Sequence, residues 1–379
     1  MYRILHTGMT TNYGGVESVV MNWYRHINRE KIQFDFLVSH KSPLIAYEDE
    51  IKKMGGRIYR SYYGRKEKPF TAHKYIEEIF LNDPNIMGVH MNLNTLEYIT
   101  PLLEAEKRGL PVKIAHSHNT GNLNREQHLE TRIMQVLNKQ VLKSRKFVKM
   151  GCSKYACEYM FGNNNEGIVI HNAIEVGKFK YNDKKRKYLR GKYKISEKTT
   201  VIGFIGRLQY QKNPEFLLKV FQEYHNKMDT NSVLIVVGTG PLEDKCKELA
   251  HTLHLEDKII FVGMINETSD YYSMFDVLML PSLFEGLPVV LVEAQTSNLP
   301  CLISSNIRED VMITSLIERS NLDDPLEEWA LHLQKMIRKY TIYDRKRDTS
   351  IKEIFSAGYE INQEVKKLEN IYMSMIEGR

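Results

Sequence analysis

The chain has 379 residues, 42% hydrophobic and 26% charged, a balance that excludes extended disorder. At roughly 150–200 residues per domain, that length predicts two domains. The formal charge of +6 suits an anionic small molecule or an acidic membrane surface. It favours nucleic acid least, because neither an RNA-recognition aromatic signature nor a paired-cysteine finger is present.

No run approaches the roughly 18 consecutive apolar residues of a membrane span. The N-terminal MYRILHTG reads as a buried strand without the apolar core of a signal peptide, so the expected compartment is the cytoplasm. Short apolar runs then alternate with amphipathic segments. Strands are predicted near 2–7, 32–39, 56–60, 86–91, 111–117, 147–152 and 166–171. Helices fall between them at about 16–28, 45–54, 70–82, 95–108, 125–145 and 153–162. This alternation predicts a doubly wound parallel sheet.

Residues 176–198 are polar and basic and predict a domain junction with a solvated helix, residues 184–187 facing solvent. A second alternating region follows, with strands at 200–206, 232–238, 258–262, 276–280 and 300–304. Its helices fall at about 214–228, 241–254, 268–274 and 288–298, and the tail from 326 reads as three helices. The predicted fold is therefore α/β with two doubly wound, Rossmann-like domains facing a central cleft. The expected boundaries are 1–175, 176–355 and a C-terminal helix over 356–379 that packs back on the first domain. Cys152, Cys157, Cys246 and Cys301 are too scattered for a disulfide framework and read as buried thiols.

Ligands of open α/β sheets bind beyond the carboxyl ends of the strands. After the first strand, Gly14 and Gly15 open a helix, where a bare backbone can approach a phosphate at a helix N-terminus. A tight strand-to-helix turn explains the same pair equally well. After strand 200–206, Arg207 and Lys212 place two cations before the helix begun by Asn213 and Pro214. The helix dipole disfavours cations there, so an anionic ligand such as pyrophosphate is the better explanation. Gly238 and Gly240 lack the third glycine and downstream acid of a dinucleotide fingerprint.

In LPSLFEGLPVVLVEAQ, Glu285 and Glu293 stand eight positions apart, so both carboxylates are expected to reach one crevice from consecutive helical turns. Glu293 among apolar neighbours needs a hydrogen-bonding partner, and a ribose diol would serve. His116 and His118 share a strand face. A metal pair there would lack a third ligand nearby in sequence, and a hydrogen-bonding role for one of them is the stronger reading. No Asp-x-Asp occurs to clamp a metal-bound diphosphate.

The GGVE after the first strand, the Arg207 and Lys212 pair, and the EGLP running on to Glu293 together resemble the retaining glycosyltransferases of family four. That resemblance covers nearly the whole chain and implies the two-domain GT-B architecture. It implies sugar transfer from a nucleoside diphosphate sugar to a glycan or lipid-linked acceptor in cell-surface polysaccharide synthesis, without a metal or other cofactor. A UDP-sugar is the expected donor. Gly14 and Gly15 would then meet the diphosphate, Arg207 and Lys212 would neutralise it as it leaves, and Glu285 would lie at the donor sugar. The backbone of Gly286, Leu287 and Pro288 would bind sugar hydroxyls or phosphate, Glu293 would hold the ribose, and the backbone around Val262 and Met264 would face the base. His118 resembles the family histidine that reaches the donor sugar.

Basic residues along 125–145 accompany Ile133, Met134, Val136 and Leu137. A packed helix with a solvated basic face is the favoured reading, and peripheral attachment to an anionic membrane is the alternative. A nucleotide-sugar 2-epimerase of the same fold and a non-catalytic subunit of a polysaccharide assembly complex compete with the transferase reading. Arg207, Lys212 and Glu285 weigh against both.

Overall fold

A computed structural model describes residues 1–61, 69–119, 129–162, 167–265, 267–346 and 348–378. The chain forms two compact units, one of residues 1–173 with 361–379, the other of 174–360. The first begins with β1 (Tyr2–Thr7), α1 (Gly15–His26), β2 (Ile32–Ser39), α2 (Glu48–Lys53), β3 (Ile58–Ser61) and α3 (Pro69–Asn82). It continues through β4 (Ile86–Leu93), α4 (Thr100–Lys107), β5 (Val112–Ser117), α5 (Leu129–Ser144), β6 (Val148–Gly151), α6 (Lys154–Phe161) and β7 (Ile168–Val169).

The second unit opens with α7 (Val176–Phe179), α8 (Asp183–Lys192), β8 (Thr200–Ile205), α9 (Pro214–Lys227), β9 (Ser232–Val237) and α10 (Glu243–Thr252). Next come β10 (Ile259–Gly263), α11 (Ser269–Met274), β11 (Val277–Leu280), α12 (Val289–Thr296), β12 (Cys301–Ser304) and β13 (Ile317–Ser320). After α13 (Leu326–Lys339), α14 (Ile342–Arg345) and α15 (Ser350–Ser356), the chain returns to the first unit for α16 (Ile361–Glu377), which packs on α1.

Every strand pairing within the two sheets is parallel. The sheet orders are β3-β2-β1-β4-β5-β6-β7 and β10-β9-β8-β11-β12-β13. Helices cover both faces of such sheets, which explains why β2, β8 and β11 are buried nearly throughout. Strand order reverses between β1 and β4 in one sheet and between β8 and β11 in the other. Each reversal opens a crevice at the carboxyl ends of two neighbouring strands.

Several predicted elements differ. β7 is two residues long rather than six, and part of its predicted span lies outside the described residues, as do 125–128 of the predicted 125–145 helix. β13 was not predicted, because its IERS core is half polar. Four helices rather than three follow residue 326. The basic stretch is also more than a solvated helix. Arg186 and Arg190 of α8 are buried, and their guanidinium groups donate to Asp276 at 2.9 and 2.7 Å. Asp276 also accepts from the Val201 backbone N–H at 2.7 Å, tying α8 to the start of β8 and β11. Asp276→Ala would strand two buried guanidiniums. We expect about 3–5 kcal/mol of lost stability, read from denaturant unfolding of the full chain, whereas a change below about 1 kcal/mol would mean the pair is solvated.

Candidate active site

At the switch point of the second unit, the loop after β8 carries Arg207 and Lys212 and the loop after β11 carries Glu285. The two loops are joined directly. Leu283 N–H donates to Gln211 O at 2.8 Å. Gln211 Nε2 donates to Phe284 O at 3.0 Å and to Glu285 Oε2 at 3.2 Å. Lys212 Nζ lies 2.6 Å from Glu285 Oε1, with the two side chains only 12% and 6% exposed. Arg207, in contrast, is exposed and forms no ion pair among the described residues. The crevice thus holds one paired cation and one free cation, an arrangement that attracts an anion.

The glycines nearby have a packing reason. A Cβ on Gly238 would lie 2.1 Å from Gly206 O, and one on Gly240 would lie 2.3 Å from Leu208 O. Those glycines let one loop seat its neighbour's backbone beside Arg207, and they need no dinucleotide to explain them.

Glu293 lies on α12, whereas Glu285 precedes that helix, so the two acids do not stand on consecutive helical turns. They take different partners. The Tyr272 hydroxyl donates to Glu293 Oε2, and burial pushes this carboxyl up to about 7 despite that bond. Tyr272 is held in turn by the buried Arg345, whose Nη2 donates to its backbone carbonyl at 2.5 Å. Nothing in the sequence pattern marked Tyr272 as the partner of Glu293, since α11 reads as one more short amphipathic helix. Gly286 precedes the buried Leu287 and Pro288, and Pro288 caps the start of α12. Val262 lies within β10, one residue before Gly263 ends it, and Met264 is exposed just beyond.

In the first unit, the loop after β1 leads to Gly14 and Gly15. A Cβ on Gly14 would lie 2.6 Å from the carboxylate of Glu17, a buried acid that accepts from Thr10 Oγ1 at 2.5 Å. A Cβ on Gly15 would meet nothing within 4 Å. Gly14 therefore serves the turn, and Gly15 leaves open space at the start of α1.

His116 and His118 stack with ring centroids 4.4 Å apart and planes 11° apart. Nitrogens in parallel rings point side by side rather than toward one ion, which disfavours the metal pair. Among the described residues no group of three or more histidine, cysteine or acidic side chains is arranged to hold a metal ion. His116 is fully buried and His118 is 9% exposed, so His118 is the one nearer the surface.

Both belong to a larger group. His90 Nε2 lies 3.0 Å from His116 Nδ1, and His90 Nδ1 lies 2.6 Å from the Tyr372 hydroxyl. That hydroxyl lies 3.3 Å from His6 Nε2, and Asn92 links His6 Nδ1 at 3.3 Å to His118 Nε2 at 3.0 Å. His6, His90 and Asn92 are missed by sequence reasoning. Strand order brings them together, since the adjacent β1, β4 and β5 carry His6, His90 and His116, and His118 follows β5 directly.

Burial, with a smaller contribution from neighbouring rings, holds His6 at about 3 and His90 and His116 well below the usual histidine range. Burial also holds His118 at about 3, against a smaller opposing contribution from Asn172. Unfolding frees all four to titrate near 6.5, so below that pH the unfolded chain binds protons the fold refuses. Stability should fall on acidification from about pH 6.5, by up to about 1.4 kcal/mol per pH unit for each ring. Glu293 acts in the opposite sense between about 7 and its ordinary range, because the fold retains its proton. Denaturant unfolding at stepped pH should still show a net loss, and a flat or rising stability would mean that the rings are already charged.

The family profile described as glycosyl transferases group 1 matches residues 185–340. The chain is 31% identical over 376 residues to the putative glycosyltransferase EpsF of Bacillus subtilis, covering 98% of this chain and 96% of that protein. It is 27% identical to the capsular polysaccharide biosynthesis glycosyltransferase CapH of Staphylococcus aureus, over 99% of each. The structure of Anabaena HepE in complex with UDP superposes with a TM-score of 0.77 at 14% identity, over 99% of this chain and 100% of that one.

Proposed function

Because this chain belongs to the glycosyl transferases group 1 family, we propose that it is a retaining, metal-independent transferase that moves a sugar from a nucleoside diphosphate sugar to a glycan or lipid-linked acceptor of the cell surface. One observation carries the reading: an exposed, unpaired Arg207 and a nearly buried Lys212–Glu285 pair meet at a topological switch point. Arg207 and Lys212 take the charge of the departing diphosphate, the work a metal does elsewhere. Glu285 aims the Lys212 ammonium and lies at the donor sugar. Glu293 and Tyr272 receive the ribose, and Gly15 admits the diphosphate to the start of α1. The name of CapH supports a place in polysaccharide synthesis, and the UDP bound to HepE supports UDP as the donor nucleotide.

With no second carboxylate assigned as a nucleophile, departure and attack occur on one face of the sugar. The anomeric carbon–phosphate oxygen bond breaks as the acceptor oxygen bonds to the same carbon, and the acceptor's proton passes to the leaving phosphate.

No helix among the described residues is long and apolar enough to cross a membrane. The helix α5 packs through the buried Asn138 and Leu142, while Ile133, Val136 and Leu137 are 50%, 61% and 53% exposed. On the same helix Lys139 donates to the Tyr159 carbonyl, and both Lys139 and Lys149 are lowered by burial and then by the charge of Lys143, so the three make a cationic cluster. Apolar side chains beside such a cluster suit an anionic lipid surface, where lipid-linked acceptors reside.

A thermal-shift series with UDP, GDP, ADP and CMP, with and without chelator, tests the donor. We expect one diphosphate to raise the melting temperature regardless of chelator; no shift with any, or a chelator-sensitive shift, would overturn the reading. Two variants test the leaving-group role. Arg207→Ala should cut turnover by about 10²-fold or more and leave stability within about 0.5 kcal/mol. Lys212→Ala should cut turnover similarly but also destabilise, by up to about 3–5 kcal/mol, because Glu285 keeps the Gln211 amide and loses its charged partner. Adding Glu285→Gln should recover the stability without the turnover. Unchanged transfer in both single variants would remove these cations from the mechanism.

A further inference from the structure

The polar chain through the first unit has a direction that one contact sets. Asn92 Nδ2 lies 2.8 Å from the backbone carbonyl of Thr7, which can only accept. The amide nitrogen therefore faces Thr7 and His6, and the amide oxygen faces His118. Every later proton position follows. His118 donates from Nε2–H to Asn92 Oδ1. Asn92 Nδ2 donates to His6 Nδ1, so His6 carries its proton on Nε2 and donates it to the Tyr372 hydroxyl. Tyr372 donates to His90 Nδ1, and His90 donates from Nε2 to His116 Nδ1. His118 is left with a bare, buried Nδ1 that has no hydrogen bond among the described residues, beside Asn172, whose Oδ1 is also unpaired.

We propose that Asn92 is a positioning residue: anchored on Thr7, it holds His118 as a neutral ring with the proton on Nε2 and Nδ1 free, so that His118 meets the donor sugar as a hydrogen-bond acceptor and never as an acid. This rests on the reading that His118 reaches that sugar. The titratable groups around His118 are His6 from β1, His90 from β4, His116 from β5 and Tyr372 from α16. Past Asn172, His171 is paired with Glu364. None of these supplies a negative charge in contact with the His118 ring, and the Asn172 amide, the one group that favours its protonation, is outweighed by burial. An amide at position 92 also keeps the site neutral, whereas a carboxylate there would favour an imidazolium on either side.

The test uses the full chain labelled with ¹⁵N-histidine, the His118 signal being assigned by its loss in His118→Gln. In the wild type we expect a neutral ring protonated on Nε2 from about pH 8 to about pH 5.5, and a transfer rate without an acid limb from His118. In Asn92→Asp, His118 should become an imidazolium within that range, and transfer should fall by about tenfold per pH unit below its new pKa. A wild-type ring protonated on Nδ1, or charged at neutral pH, would overturn the proposal, and that spectrum decides even if the variant fails to fold. An imidazolium in Asn92→Asp with an unchanged pH profile would overturn the role in transfer. Full activity of His118→Gln would instead show that the donor-side reading of His118 is wrong, separating that failure from the others.

Discussion

A right-handed crossover follows almost every parallel strand, and in each sheet that rule allows a single place where neighbouring loops depart in opposite directions. The candidate site depends on this constraint. Between β8 and β11 the departing loops carry Arg207, Lys212 and Glu285, and the Gln211 side chain stitches them together. Between β1 and β4 they carry Gly14 and Gly15 on one side and Asn92 at the end of the other strand. Chemistry gathers there because backbone hydrogen bonding is complete within the strands and lapses only where they end.

Buried polarity takes two forms, and both units hold the ionic one, since Arg3 pairs with Asp35 in the first. In the second, charge is met by charge: Asp276 between Arg186 and Arg190, and Lys212 against Glu285. In the first, four imidazoles, an amide and a phenol share protons with no ion among them. Neutral networks avoid the desolvation cost of ions but demand that every donor find an acceptor. The Thr7 carbonyl, which can only accept, is the fixed end that gives the chain its proton order.

The parallel, doubly wound architecture was legible because β-branched strands and amphipathic helices alternate with the right period. Arg207, Lys212, Glu285 and Glu293 were legible because each breaks a local rule, as a cation before a helix or an acid among apolar neighbours. What escaped was whatever depends on strand order. His6 and His90 read as single polar interruptions in buried strands, and only the adjacency of β1, β4 and β5 makes them partners of His116. Tyr272 and Arg345 escaped for a related reason, since their partners lie on other elements. The half-polar β13 and the two-residue β7 lack enough pattern to be recognised. The burial of Arg186 and Arg190 was hidden by the lysines around them.

The first unit is built from both ends of the chain. Tyr372 is fully enclosed, and Val365 and Leu368 on the same helix are buried with it. During synthesis, residues 1–173 emerge well before α16, with the whole of the second unit still to come. Until then His6 and His90 lack the hydroxyl that joins them, and the face of α1 that α16 covers stays open. The second unit is contiguous and can complete its core first. Ribosomal order is thereby inverted: the half made first is finished last, and a chain truncated before α16 would present an intact second unit and an unfinished first one.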